Sequence, residues 1–233
     1  MNNPIKSPES PKLGKTNLGD LRRFEPLSRV FGQDRGTTIR RYYIDQFLAA
    51  NTKFISGKVL EVGEDTYTRK FGQTGTIADV LSLTNEGQSE TIVGDLVTGE
   101  GVPENYYDAI ILTQVLHVLP DMGAALENVF AALVTGGVIL ATLPTITQVS
   151  RYDMDRWGDY WRVTDKAAKL LANKYIPGCR TKITAYGNHL TAIAALTGLA
   201  AEELTRYELE YFDPDYQILI GILAKKQNSS NKT

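Results

Sequence analysis

Two kinds of hydrophobic pattern alternate along this 233-residue chain. Continuous apolar runs such as Ile110-Ile111-Leu112 and Val138-Ile139-Leu140 suit strands covered on both faces, as in a parallel sheet between helical layers. Runs of this sort predict strands near 58–62, 75–79, 91–94, 108–113, 137–143, 180–185 and 215–224. Helical spacing in between predicts helices near 66–72, 121–134, 164–175 and 189–200. Ahead of the first strand, Leu18, Leu21, Phe24, Leu27 and Val30 recur at helical intervals, and after a break at 32–36 so do Ile39, Tyr43, Ile44, Phe47 and Leu48, with Thr37 or Thr38 as N-cap. Strands alternating with helices mean βαβ units and an α/β fold.

Composition narrows the class. A chain that is 42% hydrophobic and 22% charged supports one sizeable core, so a single domain over 18–224 is expected, with residues 18–51 as a helical lid. Residues 1–17, rich in proline and lysine, and the polar stretch 225–233 cannot bury enough surface to offset ordering entropy and are expected to be disordered tails. A net charge of -2 gives no basic footprint for nucleic acid or for a membrane surface. Cys179 is the single cysteine, which excludes an intrachain disulfide. No apolar stretch approaches the roughly 20 residues of a membrane span, and the first residues lack a signal-peptide core, so a soluble cytoplasmic protein is expected. No internal repeat or metal-ligand pattern stands out, and the sequence leaves the oligomeric state open.

Chemistry-bearing residues gather at strand ends. Val59-Leu60-Glu61-Val62-Gly63, Ile77-Ala78-Asp79 and Val93-Gly94-Asp95 each end in a small residue or an acid, and the carboxyl ends of strands in an open parallel sheet converge on one ligand crevice. The three carboxylates at 61, 79 and 95 are thereby expected to face a shared cleft. Any one acid after a strand can instead form a turn or cap a helix with its short side chain. Asp108, at the start of its strand, reads as structural.

The succession of these motifs with Tyr107-Asp108-Ala109-Ile110-Ile111-Leu112-Thr113-Gln114 and Leu133-Val134-Thr135-Gly136-Gly137-Val138-Ile139-Leu140 resembles the class I S-adenosylmethionine-dependent methyltransferases. More narrowly it resembles their type 11 group, and the 151–162 segment is similar to bacterial members associated with glycosyltransferases. The resemblance spans nearly all of 35–225. It implies a Rossmann-like, seven-stranded, mostly parallel sheet with an antiparallel last strand, helices on both faces, and S-adenosyl-L-methionine as cofactor. Residue by residue, it implies that Glu61 and Gly63 cradle the methionine part, that Asp79 with Val80 holds the ribose, and that Asp95 with Leu96 holds the adenine. Thr113 and Gln114 fall beneath the methionine carboxylate and sulfonium. The family loop reads acid-x-Gly-x-Gly-x-Gly, whereas this chain has Asp65 and Tyr67 at the later glycine positions. Asp65 is expected to keep the turn through a positive φ, with its carboxylate near the sulfonium.

His117, after the fourth strand, has an ordinary pKa near 6.5 that suits a general base, although a loop anchor is the competing role. The segment 151–162 must cross the carboxyl edge of the sheet. Its Tyr152, Asp153 and Trp157 suit a polyhydroxylated ring, which stacks on aromatic faces while acids accept from its hydroxyls; they suit an amine equally. Trp161 reads as packing, and His189 beside Asn188 as capping or packing. Arg40, Tyr42 and Tyr43 belong to the expected lid, with Tyr43 counted among the substrate contacts. These residues together indicate methyl transfer to an oxygen of a small molecule or sugar. Two other functions compete: a nicotinamide-dependent oxidoreductase, disfavoured by the absence of Gly-x-Gly-x-x-Gly, and a fold relic that binds without catalysis.

Overall fold

The computed structural model describes residues 10–84 and 91–228. Seven strands, β1 (Lys58–Val62), β2 (Ile77–Ser82), β3 (Ile92–Val93), β4 (Tyr107–Thr113), β5 (Leu133–Pro144), β6 (Cys179–Tyr186) and β7 (Leu219–Lys226), form one sheet in the order β3-β2-β1-β4-β5-β7-β6. The first five pair in parallel, and β7 runs antiparallel between β5 and β6. This is the α/β fold that the alternating pattern predicts, in the Rossmann-like, seven-stranded form that the family resemblance implies.

Because successive strand residues point to opposite faces, each face of the sheet builds its own core. Ile110, Leu112, Ile139 and Ala141 pack against α3 (Met122–Ala132) and α5 (Asp165–Tyr175). Ala109, Ile111, Val138 and Leu140 pack against α1 (Ile39–Ala49), α6 (His189–Thr197) and α7 (Arg206–Glu210). Two short helices, α2 (Thr66–Phe71) and α4 (Arg151–Met154), lie at the carboxyl end of the sheet after β1 and β5. Local sequence fixes the helix starts: the Thr38 hydroxyl accepts from the Arg41 amide at 3.1 Å, and Asn188 and Thr191 form a reciprocal capping box on α6. Asp108 is structural as expected, its carboxylate accepting from the Lys58 amide at 2.9 Å.

Several boundaries differ from the sequence pattern. No helix forms over 18–30; a single turn at Gly19–Leu21 is followed by an irregular strap of bends and turns. Pro26 has no amide to donate and disrupts a helix at that point, and the Leu27 amide instead donates to the Thr197 carbonyl at 2.7 Å. The segment 18–51, expected as a lid, is therefore a strap followed by α1 rather than two helices. The strap lies so close to the end of α6 that a Cβ on Gly198 would meet the Ser28 carbonyl at 2.5 Å, and the φ of +80° at Gly198 also favours glycine. The last strand starts at Leu219 rather than 215, because 213–216 make a turn, and it continues through Lys225 and Lys226, which were assigned to the tail. β2 begins two residues later than the pattern suggests and ends at Ser82, a shift that matters for the site. Residues 1–9 and 229–233 of the two expected tails lie outside the described residues.

The strand order reverses its direction of progress between β1 and β4. At such a switch point the two outgoing loops diverge and leave a crevice beyond the carboxyl ends of the strands.

Candidate active site

A cavity of about 580 Å³ occupies that crevice, within the roughly 300–1,000 Å³ range of small-molecule sites. The loop after β1 and the end of β4 form its floor. α1 and the strap close one side, and the 148–162 segment closes the other.

The β1 loop is shaped by Glu61. Its buried carboxylate accepts from the Tyr67 amide at 3.0 Å, the Thr68 amide at 2.8 Å and the Thr68 hydroxyl at 2.7 Å, so it ties α2 to the strand. Burial raises its pKa above the usual carboxylate range, against the opposing pull of the Thr68 and Tyr67 hydrogen bonds. Gly63 turns with φ of +79°, and a Cβ there would meet nothing within 4 Å, so its backbone presents an open face to the cavity. Asp65 does not adopt the expected positive φ. It sits at φ -98° before α2, outside the cavity lining, and pairs with Arg69 at 3.0 Å. Tyr67 lines the cavity; burial pushes its phenol up to about 12, which keeps it protonated at neutral pH.

At the end of β4, Thr113 and Gln114 form the floor as expected. Gln114 has φ of +58°, an uncommon conformation for a side-chain-bearing residue, held by its amide donating to the Thr142 carbonyl and hydroxyl at 3.2 Å each.

The three strand-end acids do not share this cleft. Asp79 pairs in register with Leu60, whereas the residue that continues β2 to its carboxyl end is Ser82. Three residues at about 3.3 Å each leave Asp79 roughly 10 Å short of that end. Its carboxylate accepts from the Tyr107 and Thr91 hydroxyls at 3.2 Å each. Asp95 shapes its own turn, accepting from the Val97 amide at 2.7 Å. Val80 and Leu96 are core residues, both buried. The extended runs were visible in the sequence; the two-residue displacement of β2, which moves its acid away from the edge, was not.

His117 is brought to the cavity wall, with its side chain 6% exposed. Its carbonyl accepts the Tyr160 and Trp161 amides at 3.0 and 3.3 Å, which fastens the 148–162 segment over the sheet edge. The imidazole Nε2 stands 4.0 Å from Asp159, and Nδ1 has no partner among the described residues. Burial pushes the imidazole down to about 4; Asp159 opposes this, and Arg40 and Arg162 reinforce it. Asp159 is 1% exposed and is held bidentately by Arg162 at 2.6 and 2.7 Å, while also accepting from the Ser150 amide at 2.9 Å. The Arg162 hydrogen bond holds the Asp159 carboxyl below its usual range despite burial.

Of the expected substrate residues, Asp153 lines the cavity. Tyr152 and Trp157 pack edge to face at 5.8 Å on the exposed outer side of the segment and do not line it. Tyr43 is a core residue: it is buried, stacks on Tyr186, and donates its hydroxyl to the Leu209 carbonyl at 2.8 Å. Trp161 donates its indole N–H to the Leu119 carbonyl at 2.9 Å, in keeping with packing. Sequence reasoning reads Asp159 as one of the acids of the 151–162 segment and Arg162 as a support of the next helix; it misses their clamp, for which the i,i+3 spacing is the available signal, and Phe31, which carries none. Among the described residues no group of side chains is arranged to hold a metal ion, and no helix is long and apolar enough to cross a membrane.

A family model described as a methyltransferase domain matches residues 38–177. No protein of curated function gives a significant sequence match. Among solved structures, a SAM-dependent methyltransferase from Archaeoglobus fulgidus superposes with a TM-score of 0.53 at 14% identity, over 80% of this chain and 94% of its own. The N-methyltransferase NodS from Bradyrhizobium japonicum, in complex with S-adenosyl-L-homocysteine, gives 0.50 at 13% identity over 83% and 90%. Phosphoethanolamine N-methyltransferase 2 from Haemonchus contortus, in complex with S-adenosyl-L-methionine, gives 0.51 at 14% identity over 79% of this chain and 53% of its own.

Proposed function

We infer that this chain, which belongs to the methyltransferase-domain family, is an S-adenosylmethionine-dependent methyltransferase that places the methyl group on an oxygen of a small polyhydroxylated molecule or sugar. The carrying observation is one cavity with two unlike walls. One wall is the open backbone at Gly63 beside Thr113 and Gln114, and the other is the polar set His117, Ser150, Asp153 and Asp159.

The first wall fits the methionine part of the cofactor. Gly63, Tyr67, Thr113 and Gln114 would hold it, because the open face at Gly63 admits a ligand where any side chain would stand. When bound, the cofactor supplies a methyl group on a sulfonium leaving group. The protein's share of the work is placement, exclusion of water and reception of a proton. Placement alone can lower a displacement barrier by several kcal/mol, on the order of 7–11 in favourable cases.

The second wall supports an oxygen acceptor. Asp153 accepts from an acceptor hydroxyl, and the fixed 148–162 segment shields the reacting atoms from bulk water. His117 is neutral at physiological pH, and its Nε2, 4.0 Å from Asp159 and without a hydrogen bond among the described residues, offers a lone pair. An alcohol oxygen becomes strongly acidic as it gains the methyl carbon, so even a weakly basic imidazole takes its proton at that stage. The acid limb of the rate should accordingly fall near pH 4 rather than 6.5.

The test is turnover. The protein is incubated with S-adenosylmethionine and a panel of sugars, sugar acids and amines, following S-adenosylhomocysteine release and the mass of each acceptor. Gain of one methylene on a hydroxyl supports the reading; methylation confined to amines overturns the oxygen assignment. Calorimetric heat with NADH and none with S-adenosylhomocysteine overturns the methyltransferase assignment in favour of the nicotinamide alternative.

A further inference from the structure

The formal charges of the acceptor half balance, Arg40 and Arg162 against Asp153 and Asp159, but they are not all paired. Arg162 is spent on Asp159 through two hydrogen bonds, and Glu61 is spent on α2. Arg40, in the first turn of α1, lines the same cavity and forms neither an ion pair nor a side-chain hydrogen bond with any described residue. Its guanidinium lies over the Phe31 ring, 4.3 Å from the centroid. Phe31 holds that ring in place from a backbone with φ of +63°, a strained conformation for a bulky residue, within a strap pinned by the Ser28 hydroxyl accepting from the Gly32 amide at 2.9 Å. A half-buried cation with one aromatic face covered and its N–H fork unpaired is placed to receive an anion.

We propose that the acceptor carries an oxyanion, a carboxylate or a phosphate, received by Arg40; this rests on the methyltransferase reading of the same cavity. A guanidinium presents parallel N–H donors that match carboxylate and phosphate oxygens bidentately, and the amino-terminal dipole of α1 adds to the positive potential. Arg40 remains a cation at neutral pH, since burial and the neighbouring Arg162 lower its pKa only to about 10. Its charged neighbours are Arg162, Asp159 and Asp153, all on the segment that closes the acceptor side. Arg41, by contrast, lies over the Tyr67 ring at 4.9 Å, beside the β1 loop. The adjacent arginines thus serve different halves of the cavity. An acidic sugar or a sugar phosphate meets all the requirements of the acceptor half: the anion on Arg40 and a hydroxyl on Asp153.

The experiment uses the full chain saturated with S-adenosylhomocysteine. D-glucuronate, glucose 6-phosphate, inorganic phosphate and glucose are titrated into wild type, Arg40→Gln and Arg40→Lys by calorimetry. Wild type is expected to bind at least one anionic sugar at least tenfold tighter than glucose. Arg40→Gln should lose that preference at least tenfold while keeping its affinity for S-adenosylhomocysteine within twofold, and Arg40→Lys should lose it partly. Equal affinity for anionic and neutral sugars in wild type, or no binding of any anion, overturns the proposal without involving a variant. An intact anion preference in Arg40→Gln with weakened S-adenosylhomocysteine binding also overturns it, assigning the guanidinium to the cofactor carboxylate. Failure of the underlying methyltransferase reading would appear separately, as absent S-adenosylhomocysteine binding in wild type.

Discussion

Acidification isolates the buried imidazole of His117. In the unfolded chain it titrates at its ordinary 6.5, whereas in the folded chain burial holds it at about 4. Between these values the unfolded chain binds the extra proton, so the contribution to stability is fully present above about 6.5 and is lost as pH falls towards 4. At about 1.4 kcal/mol per pH unit the gap sets a ceiling of roughly 3 kcal/mol. Roughly 2 kcal/mol of this is lost between about pH 7 and about pH 4.5. The side chain is 6% exposed, so little solvent screening reduces the effect. Urea unfolding at both pH values, followed by circular dichroism, compares wild type with His117→Gln, which cannot titrate. Other groups that titrate in this interval act on both proteins, so the double difference reports His117. Wild type should lose roughly 2 kcal/mol more than the variant. Equal losses would refute the buried neutral imidazole and, with it, the low acid limb of the rate.

Three further substitutions probe the supports of the site. Glu61→Gln turns one of the acceptors of the Tyr67 amide, Thr68 amide and Thr68 hydroxyl into a donor; a loss of about 2 kcal/mol is expected in urea unfolding, and an unchanged midpoint would contradict the role of Glu61 in tying α2 to β1. Arg162→Lys removes the fork from Asp159 and the bond to the Gln148 carbonyl, costing about 1–2 kcal/mol. It should also speed limited proteolysis within 148–162, and a cleavage rate like that of wild type would count against that anchor. Gly221→Ala would set a Cβ 2.5 Å from the Phe47 ring, an overpacking cost of about 1–3 kcal/mol; a loss below about 0.5 kcal/mol would show that the ring yields freely.

The legible part of the fold was what local pattern dictates. The apolar runs of β4 and β5 and the Thr38 cap follow from residues close in sequence, and the antiparallel final strand from the family resemblance. The strap at 18–30 was misread because a spacing of apolar residues does not register the lost amide of Pro26. The site was less legible because it is assembled over long separations. Asp79 lies where an acid should follow a strand, yet β2 continues to Ser82, and only pairing with β1 reveals it. Asp65, just ahead of α2, pairs with Arg69 of that helix rather than facing the cavity. Tyr43 shares the helical pattern of its neighbours, and its burial depends on α7 and β6, well over a hundred residues away. The pairing of His117 with the Asp159–Arg162 clamp, and of Arg40 with Phe31, requires the strap and the post-β5 segment to meet over the same sheet edge.

The account rests on the open backbone at Gly63 receiving the methionine part of S-adenosylmethionine. Calorimetric titration of S-adenosylhomocysteine into wild type and Gly63→Val measures this directly, since the valine would both fill the open face and resist the φ of +79°. The prediction is a saturable heat for wild type and an affinity at least about tenfold weaker for the variant, about 1.4 kcal/mol, with the variant's circular dichroism unchanged. Absence of binding to wild type, or equal affinity in the two proteins, would contradict it.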